Sequence, residues 1–316
     1  MKSNYIILVL LFIVLGVGFF LFTRSQTDTK DLNSSTLNIN NGDVVQIIPD
    51  VPRDAIPPLD NPKYVSVEES DWLEDDDLVL VVQVNVDIRA YPIKIMNWHE
   101  IVNDTIGGME VVVTYCPLCD SGIVFDRNVD GKLLSFGNTG ALYESSMVMY
   151  DRETESYWYQ AGGRSIKGEL TGSKLKVLPS FMSRWEEWKK NNPNSLVLSL
   201  DTGHRRPYEI NSFDGYDSLD SKPGFPVSDM SDILPPKERV VGIVINGKSK
   251  AYPVRRAKNT TLKDTFEGKD IEIVGDSTGR TAQVFYIENG KRVRAPIISE
   301  FWFSWFISHK DTKVYK

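Results

Sequence analysis

The strongest constraint on the fold of this chain is that part of it is written twice. Ile88-Arg89-Ala90-Tyr91-Pro92 returns 161 positions later as Ser249-Lys250-Ala251-Tyr252-Pro253. Asn103-Asp104-Thr105-Ile106-Gly107-Gly108-Met109-Glu110-Val111 returns 160 positions later as Lys263-Asp264-Thr265-Phe266-Glu267-Gly268-Lys269-Asp270-Ile271. Val124-Phe125 meets Val284-Phe285 at that second offset, and Trp185-x-x-Trp188 is echoed by Trp302-x-x-Trp305. The copies run in the same order, so chance is a poor account and two related lobes are expected. The first copy carries an extra segment from about Asp130 to Pro179. The second copy lacks the reactive residues of the first: Cys116 and Cys119 align with Asp276 and Gly279, and Asn97, Trp98 and His99 fall opposite Lys258, Asn259 and Thr260.

Local patterns are mostly of strand type. Runs rich in β-branched and aromatic residues with turn-type boundaries predict strands at 78–86, 110–115, 122–127, 132–136 and 147–150 in the first copy. In the second they predict strands at 240–245, 250–254, 271–274 and 283–287. Asn246-Gly247 predicts a two-residue hairpin turn. Ser183-x-x-Glu186 reads as a capping box opening a short helix, Ser299–His309 as its counterpart, and Ile95–Val102 as a third short helix. The Asn103-Asp104-Thr105 sequon reads as the lead into a β-turn. The expected fold is therefore α+β, predominantly antiparallel β. It comprises two related lobes from a degenerate internal repeat, plus an N-terminal transmembrane helix.

That helix is expected at Tyr5–Phe22, eighteen uncharged residues rich in Leu, Ile, Val and Phe. At about 1.5 Å per residue the run reaches roughly the thickness of a bilayer core. No small-x-small cleavage pattern follows it, which favours an uncleaved anchor over a removed signal. Residues 1–24 are thus read as anchor or signal segment and 25–62 as a flexible linker. Residues 63–235 are read as the first lobe, and 236–316 as the second, degenerate lobe. The expected location is the cell membrane, single-pass, with the main domain extracytoplasmic. A net charge of −7 and the lack of a basic stripe argue against nucleic acid as a partner. The expected partners are the membrane, through this helix, and a redox partner or small-molecule ligand.

Cys116 and Cys119 are the only cysteines, and they stand as Cys116-Pro117-Leu118-Cys119 between two strand-type runs. A c-type haem site needs His after the second cysteine, where Asp120 stands. A thioredoxin-like site needs a helix amino terminus, and 121–126 reads as strand. Three readings stay open. The thiols form a redox pair needing no cofactor, with His99 assisting proton transfer and His99 or Arg127 favouring the thiolate, while Asp120 acts the wrong way. They bind a zinc or copper ion with His99 as a further ligand. Or a disulfide braces a non-enzymatic binding module, although two intervening residues close a small loop of modest entropic value.

Several longer stretches resemble one known family. Arg89-Ala90-Tyr91-Pro92, Asn97 to Asp104, Thr114 to Cys119, Val148 to Arg152, Trp158-x-Gln160 and Leu196 to Ser199 are similar to the signature of the DUF3179 family, closely over 78–216 and loosely beyond. The family is defined without an assigned function. Some of its members carry the label of possible selenoproteins. Selenium in place of a thiol of this motif would imply redox chemistry rather than structural bridging. The resemblance makes Asn97, Trp98, Glu100, Arg127, Asp151, Arg152, Trp158 and Gln160 candidate pocket residues around Cys116, Cys119 and His99.

Overall fold

The computed structural model describes residues 51–316 together with the strands β1 (Thr36–Asn38) and β2 (Val44–Ile47). The apolar run 5–22 lies outside the described residues. Among those described, no helix is long and apolar enough to cross a membrane.

After β3 (Tyr64–Ser66) come β4 (Leu78–Val84), β5 (Asp87–Pro92), α1 (Ile93–His99), β6 (Ile101–Ile106), β7 (Met109–Cys116) and β8 (Ser121–Asp126). The extra segment follows, with β9 (Asn128–Val129), β10 (Lys132–Leu133), β11 (Phe136–Tyr143), β12 (Ser146–Asp151), β13 (Tyr157–Tyr159) and β14 (Arg164–Lys167). β15 (Ser180–Arg184), α2 (Trp185–Asn191) and β16 (Leu196–Leu198) lead to an irregular strap, 199–238. Then come β17 (Arg239–Ile245), β18 (Lys248–Pro253), a single turn of 3-10 helix (Val254–Ala257), β19 (Thr261–Phe266), β20 (Lys269–Gly275) and β21 (Ala282–Glu288). β22 (Lys291–Arg294), β23 (Ile298–Phe301), α3 (Trp302–Ser308) and β24 (Lys313–Val314) complete the chain. The class is α+β, largely antiparallel β with few helices.

Strand registers follow the sequence offsets. Val79 stands opposite Pro92 in β4–β5, and Val240 opposite Pro253 in β17–β18. The β6–β7 hairpin closes at Ile106 and Met109, and the β19–β20 hairpin at Phe266 and Lys269. Arg184 of β15 faces Leu78, and Phe301 of β23 faces Arg239. Val197 runs parallel to Ala90, and Val314 parallel to Ala251. The recurring letters account for this. Arg89 bonds Asp104 at 2.8 Å and Tyr91 donates to the same carboxylate. Lys250 meets Asp264 at 2.5 Å and Tyr252 donates to it at 2.8 Å. Each aspartate also accepts the next amide, Thr105 or Thr265. A cation, a phenol and a carboxylate thus tie the second strand of each unit to its third. Asn246 and Gly247 both adopt left-handed φ, 52° and 75°, as a type I′ hairpin turn requires.

The residues 63–235 and 236–316 share one sheet. Its order is β24-β18-β17-β23-β8-β7-β6, and the junction is β23 against β8 at Ser299 and Gly122. One apolar core surrounds Trp185 and Trp188 and draws on β4, β5 and β17–β21. Another surrounds Trp302 and Trp305 and takes in Cys116, Cys119 and the extra segment.

Four local expectations are corrected. Ser183 does not cap a helix: it is paired with Val79 in β15, its hydroxyl goes to the Arg184 carbonyl, and α2 starts without a side-chain cap. Sheet pairing there outweighs the local capping pattern. Asn103 leads no turn. It lies inside β6, and its buried amide donates to Asp60 and the Phe136 carbonyl, both at 2.8 Å. The turn of that hairpin is Gly107-Gly108. The stretch read as a linker contains β1 and β2, which pair and extend the sheet of β11. Its proline-rich end is docked: Leu59 is buried and exchanges backbone bonds with Ile101 and Asn103. The predicted strand 132–136 is broken, because Leu134 turns back to bond the Arg127 carbonyl.

Candidate functional site

β7 and β8 present the thiol turn. Cys116 stands opposite Ser121, and the Cys119 amide donates to the Cys116 carbonyl at 3.2 Å. A turn of this type keeps the two Cα atoms within about 7 Å, inside the reach of a disulfide. Asp120 takes a left-handed φ of 51° to rejoin the strand. Tyr115 donates to its carboxylate at 2.8 Å and Arg239 of β17 forms an ion pair with it. The Asp120 charge, expected to oppose a thiolate, is therefore balanced by a cation from the other unit. Gln160 holds the base of the turn: its amide donates to Thr114 Oγ1 at 3.0 Å and the Ser121 carbonyl at 3.2 Å, and its oxygen accepts the Ser121 hydroxyl at 2.8 Å.

Both cysteines are free thiols, and both are buried, at 1% and 0% exposure. The braced hairpin is therefore not the form described. The two sulfurs have opposite partners. The Met147 amide donates to Cys116 Sγ at 3.4 Å, whereas Cys119 Sγ donates to the Ser145 carbonyl at 3.3 Å. Both partners sit at the tip of the β11–β12 hairpin, where Glu144 and Ser145 take left-handed φ of 54° and 58°. That hairpin belongs to the extra segment. Burial pushes the Cys116 thiol up. Hydrogen bonds from the Cys119 thiol and the amides of Met147, Cys119 and Leu118 outweigh this and set it below its ordinary value. Burial and the neighbouring Cys116 hold Cys119 well above the thiol range.

The other candidates divide into two groups. Glu100 is brought toward the thiols: it follows α1 with a left-handed φ of 57° and accepts the Asn138 amide at 2.7 Å. Its carboxyl is raised, by burial first and then by Cys116. Trp158 packs in the same core and donates to Asp151 at 2.8 Å, and that carboxylate also ties Thr154. His99 is committed elsewhere. Its Nδ1 meets the Pro57 carbonyl at 2.8 Å and its Nε2 meets Tyr208 at 2.7 Å, so neither ring nitrogen is left for a thiol proton or a metal ion. Burial sets its pKa at about 4, so it is neutral at pH 7. Arg127 pairs with Glu110, and Arg152 with Asp60 at 2.9 Å. Trp98 is buried with its indole N–H unpartnered. Among the described residues, no group of three or more His, Cys, Asp or Glu is placed to hold a metal ion.

Asn97 lines a cleft of about 340 Å³ whose floor includes Tyr115, Pro117 and Asp120 and whose wall includes Tyr216, Arg239 and Phe301. Pro117 and Asp120 belong to the thiol turn, so the turn reaches this lining, while both cysteines are buried. Tyr216, from the strap, donates to the Leu118 carbonyl at 3.2 Å, and Lys237 caps its ring at 3.1 Å from the centroid. Burial lowers the Lys237 ammonium to about 8.

Sequence reasoning missed Glu300. It lies on β23 between Ile298 and Trp302, so alternation aims it into the core that holds the cysteines. A carboxylate on an otherwise apolar face was the available signal. Arg239, Tyr216 and Ser145 were also missed, since only the folded topology brings them to the turn.

This mostly β scaffold, with a dithiol turn beneath a cleft, matches one family profile across residues 53–300. The chain belongs to that family, which is described as a protein of unknown function, DUF3179. No curated protein and no solved structure matches it.

Proposed function

We propose that this chain is a thiol–disulfide oxidoreductase in which Cys116 attacks and Cys119 resolves. The carrying observation is the asymmetry of the pair: the Cys116 sulfur accepts an amide hydrogen bond, while the Cys119 sulfur donates its proton to a carbonyl. An electron-rich sulfur beside a protonated one is the arrangement that starts and then completes disulfide exchange. The cleft over Pro117 is the entry side, and the substrate is a disulfide or dithiol, reached after displacement of the Tyr216 side chain. The second unit is a related, chemically silent lobe that supports the first. The run 5–22 supports placement as a single-pass membrane protein with its bulk outside the cytoplasm.

The test is equilibration of the full-length protein in glutathione redox buffers, followed by acid trapping and mass analysis. A Cys116–Cys119 disulfide should form at a potential above about −300 mV, the region below which structural bridges fall. A pair that stays reduced throughout, or a bound metal ion lost on substitution of either cysteine, overturns the reading.

A further inference from the structure

The dithiol shares its core with polar atoms that have no hydrogen-bond partner. Both carboxyl oxygens of Glu300, the Ser304 hydroxyl and the Ser145 hydroxyl are buried and unbonded. Glu300 is 1% exposed and Ser304 0%. A buried polar group without a partner costs about 1–3 kcal/mol, more when charged, so such a cluster calls for a role. Glu300 is held against the thiol turn by backbone. The amide of Phe301, its neighbour, donates to the Cys119 carbonyl at 2.8 Å, and Glu300 itself pairs with Val240 of the same core.

We infer that Glu300 carries the proton of the thiol exchange between Cys119 and the leaving thiolate, a role that rests on the oxidoreductase reading above. In the first step the Cys116 thiolate attacks a disulfide RSSR′. A Cys116–SR bond forms, the S–S bond breaks, and the departing R′S⁻ takes the proton of the Glu300 carboxylic acid. In the second step the Glu300 carboxylate takes the Cys119 proton. The resulting thiolate attacks Cys116 Sγ, the intramolecular disulfide forms, RS⁻ leaves, and the acid is restored. Two electrons pass from the protein dithiol to RSSR′, yielding R′SH and RS⁻, and the charge is −1 on each side.

The surroundings fit this cycle. Burial, with the Cys116 charge as a further cause, raises the Glu300 carboxyl to about 8, while the Cys116 thiol is lowered to about 7, so the carboxyl keeps its proton over the range in which the thiol loses its own. Capping that sulfur as a mixed disulfide removes the negative charge and makes the carboxyl a stronger acid. The titratable groups facing this space are Cys116 and Cys119 from the turn, Tyr115 from β7, Glu144 from the β11–β12 hairpin, Tyr159 from β13, Tyr216 from the strap and Glu300 from β23. Glu100, on the Cys116 side, has its carboxyl raised by burial and is tied to Asn138. Ser304 lies near both Glu300 and Cys119, outside hydrogen-bond geometry to either.

The experiment follows oxidation of the full-length protein by glutathione disulfide across pH, in wild type, Glu300→Gln and Glu300→Asp. Glutamine matches the neutral acid in shape and cannot yield a carboxylate. The expected result is a mixed disulfide on Cys116 that closes roughly a hundredfold more slowly in Glu300→Gln, with the carboxyl's limb of the pH profile gone. Partial recovery is expected in Glu300→Asp. The thiolate ultraviolet absorbance of Cys116 should persist in both variants. Wild-type closure rate and pH profile in a folded Glu300→Gln overturn the proton carrier and leave the oxidoreductase reading intact. A wild type that exchanges with no disulfide overturns both. If Glu300→Gln does not fold, infrared difference spectra of the wild type decide: oxidation must shift a buried carboxylic-acid band, and an unmoved band overturns the inference.

Discussion

Two turns at equivalent places solve the same problem differently. In the second unit, β20 and β21 are joined by 276–281, and one side chain holds the loop together. Asp276 accepts the amides of Thr278, Gly279 and Arg280 and the hydroxyls of Thr278 and Thr281. In the first unit, β7 and β8 are joined by 116–121, and the residue at the Asp276 position is Cys116. The amides of Leu118 and Cys119, counterparts of those on Thr278 and Gly279, favour its thiolate. The backbones are not copies: the left-handed residue is Gly279 in one turn and Asp120 in the other. Yet both collect amide donors around the first side chain of the turn. The turn of the second unit places a carboxyl side chain there, and the thiol turn places a sulfur held by the same kind of donors.

The sharpest way to break this equivalence is Cys116→Asp. Disulfide exchange should vanish, while the melting temperature stays near wild type because a carboxylate satisfies the same amides. A chain that fails to fold, seen by circular dichroism, sinks the comparison. Next in size is Asp276→Ala, expected to cost about 3 kcal/mol in urea unfolding because it orphans several buried donors at once. A loss under half a kcal/mol would mean that the loop holds itself. Gln160→Ala comes third, at about 2 kcal/mol, since it releases Thr114 and Ser121 at the base of the thiol turn. It should also speed alkylation of the cysteines, and unchanged alkylation would show that the clamp does not govern access. Tyr216→Phe removes the bonds to the Leu118 carbonyl and from the Gly224 amide, and a few-fold faster alkylation of Cys116 is expected. Wild type and Glu300→Gln should differ least in acid, and increasingly as pH rises. Glu300 has a folded pKa above its ordinary 4.5, so its stabilising contribution is complete below that value and fades as pH rises through about 8. Wild type should therefore lose stability relative to Glu300→Gln over that window. Parallel stability curves would place the carboxyl outside the core.

What the sequence revealed depended on the kind of signal. The letters that recur, Arg89 with Lys250, Tyr91 with Tyr252 and Asp104 with Asp264, are the ones that tie strands together, and they fixed strand order and register. The letters that do not recur, Cys116 and Cys119, marked the turn that borders the cleft. His99 was misplaced because its neighbourhood in sequence resembled a site, while its ring faces Pro57 and Tyr208, contacts made across the fold. Ser183 misled because a local capping pattern carries no information about sheet pairing. Glu300, Arg239 and Ser145 reach the turn from β23, β17 and the inserted hairpin, and their approach is set by strand pairings more than twenty residues away in sequence.

The β11–β12 hairpin has a consequence for the second unit. It supplies both the Met147 amide and the Ser145 carbonyl, and the second unit has only the short strand β22 between β21 and β23. Cysteines that arose by mutation at 276 and 279 would find neither partner waiting. Cysteine substitution at those two positions alone therefore gives neither sulfur the partner it has in the first unit. Strand β23 of the second unit, by contrast, is shared: it carries Glu300 and pairs with β8 of the first.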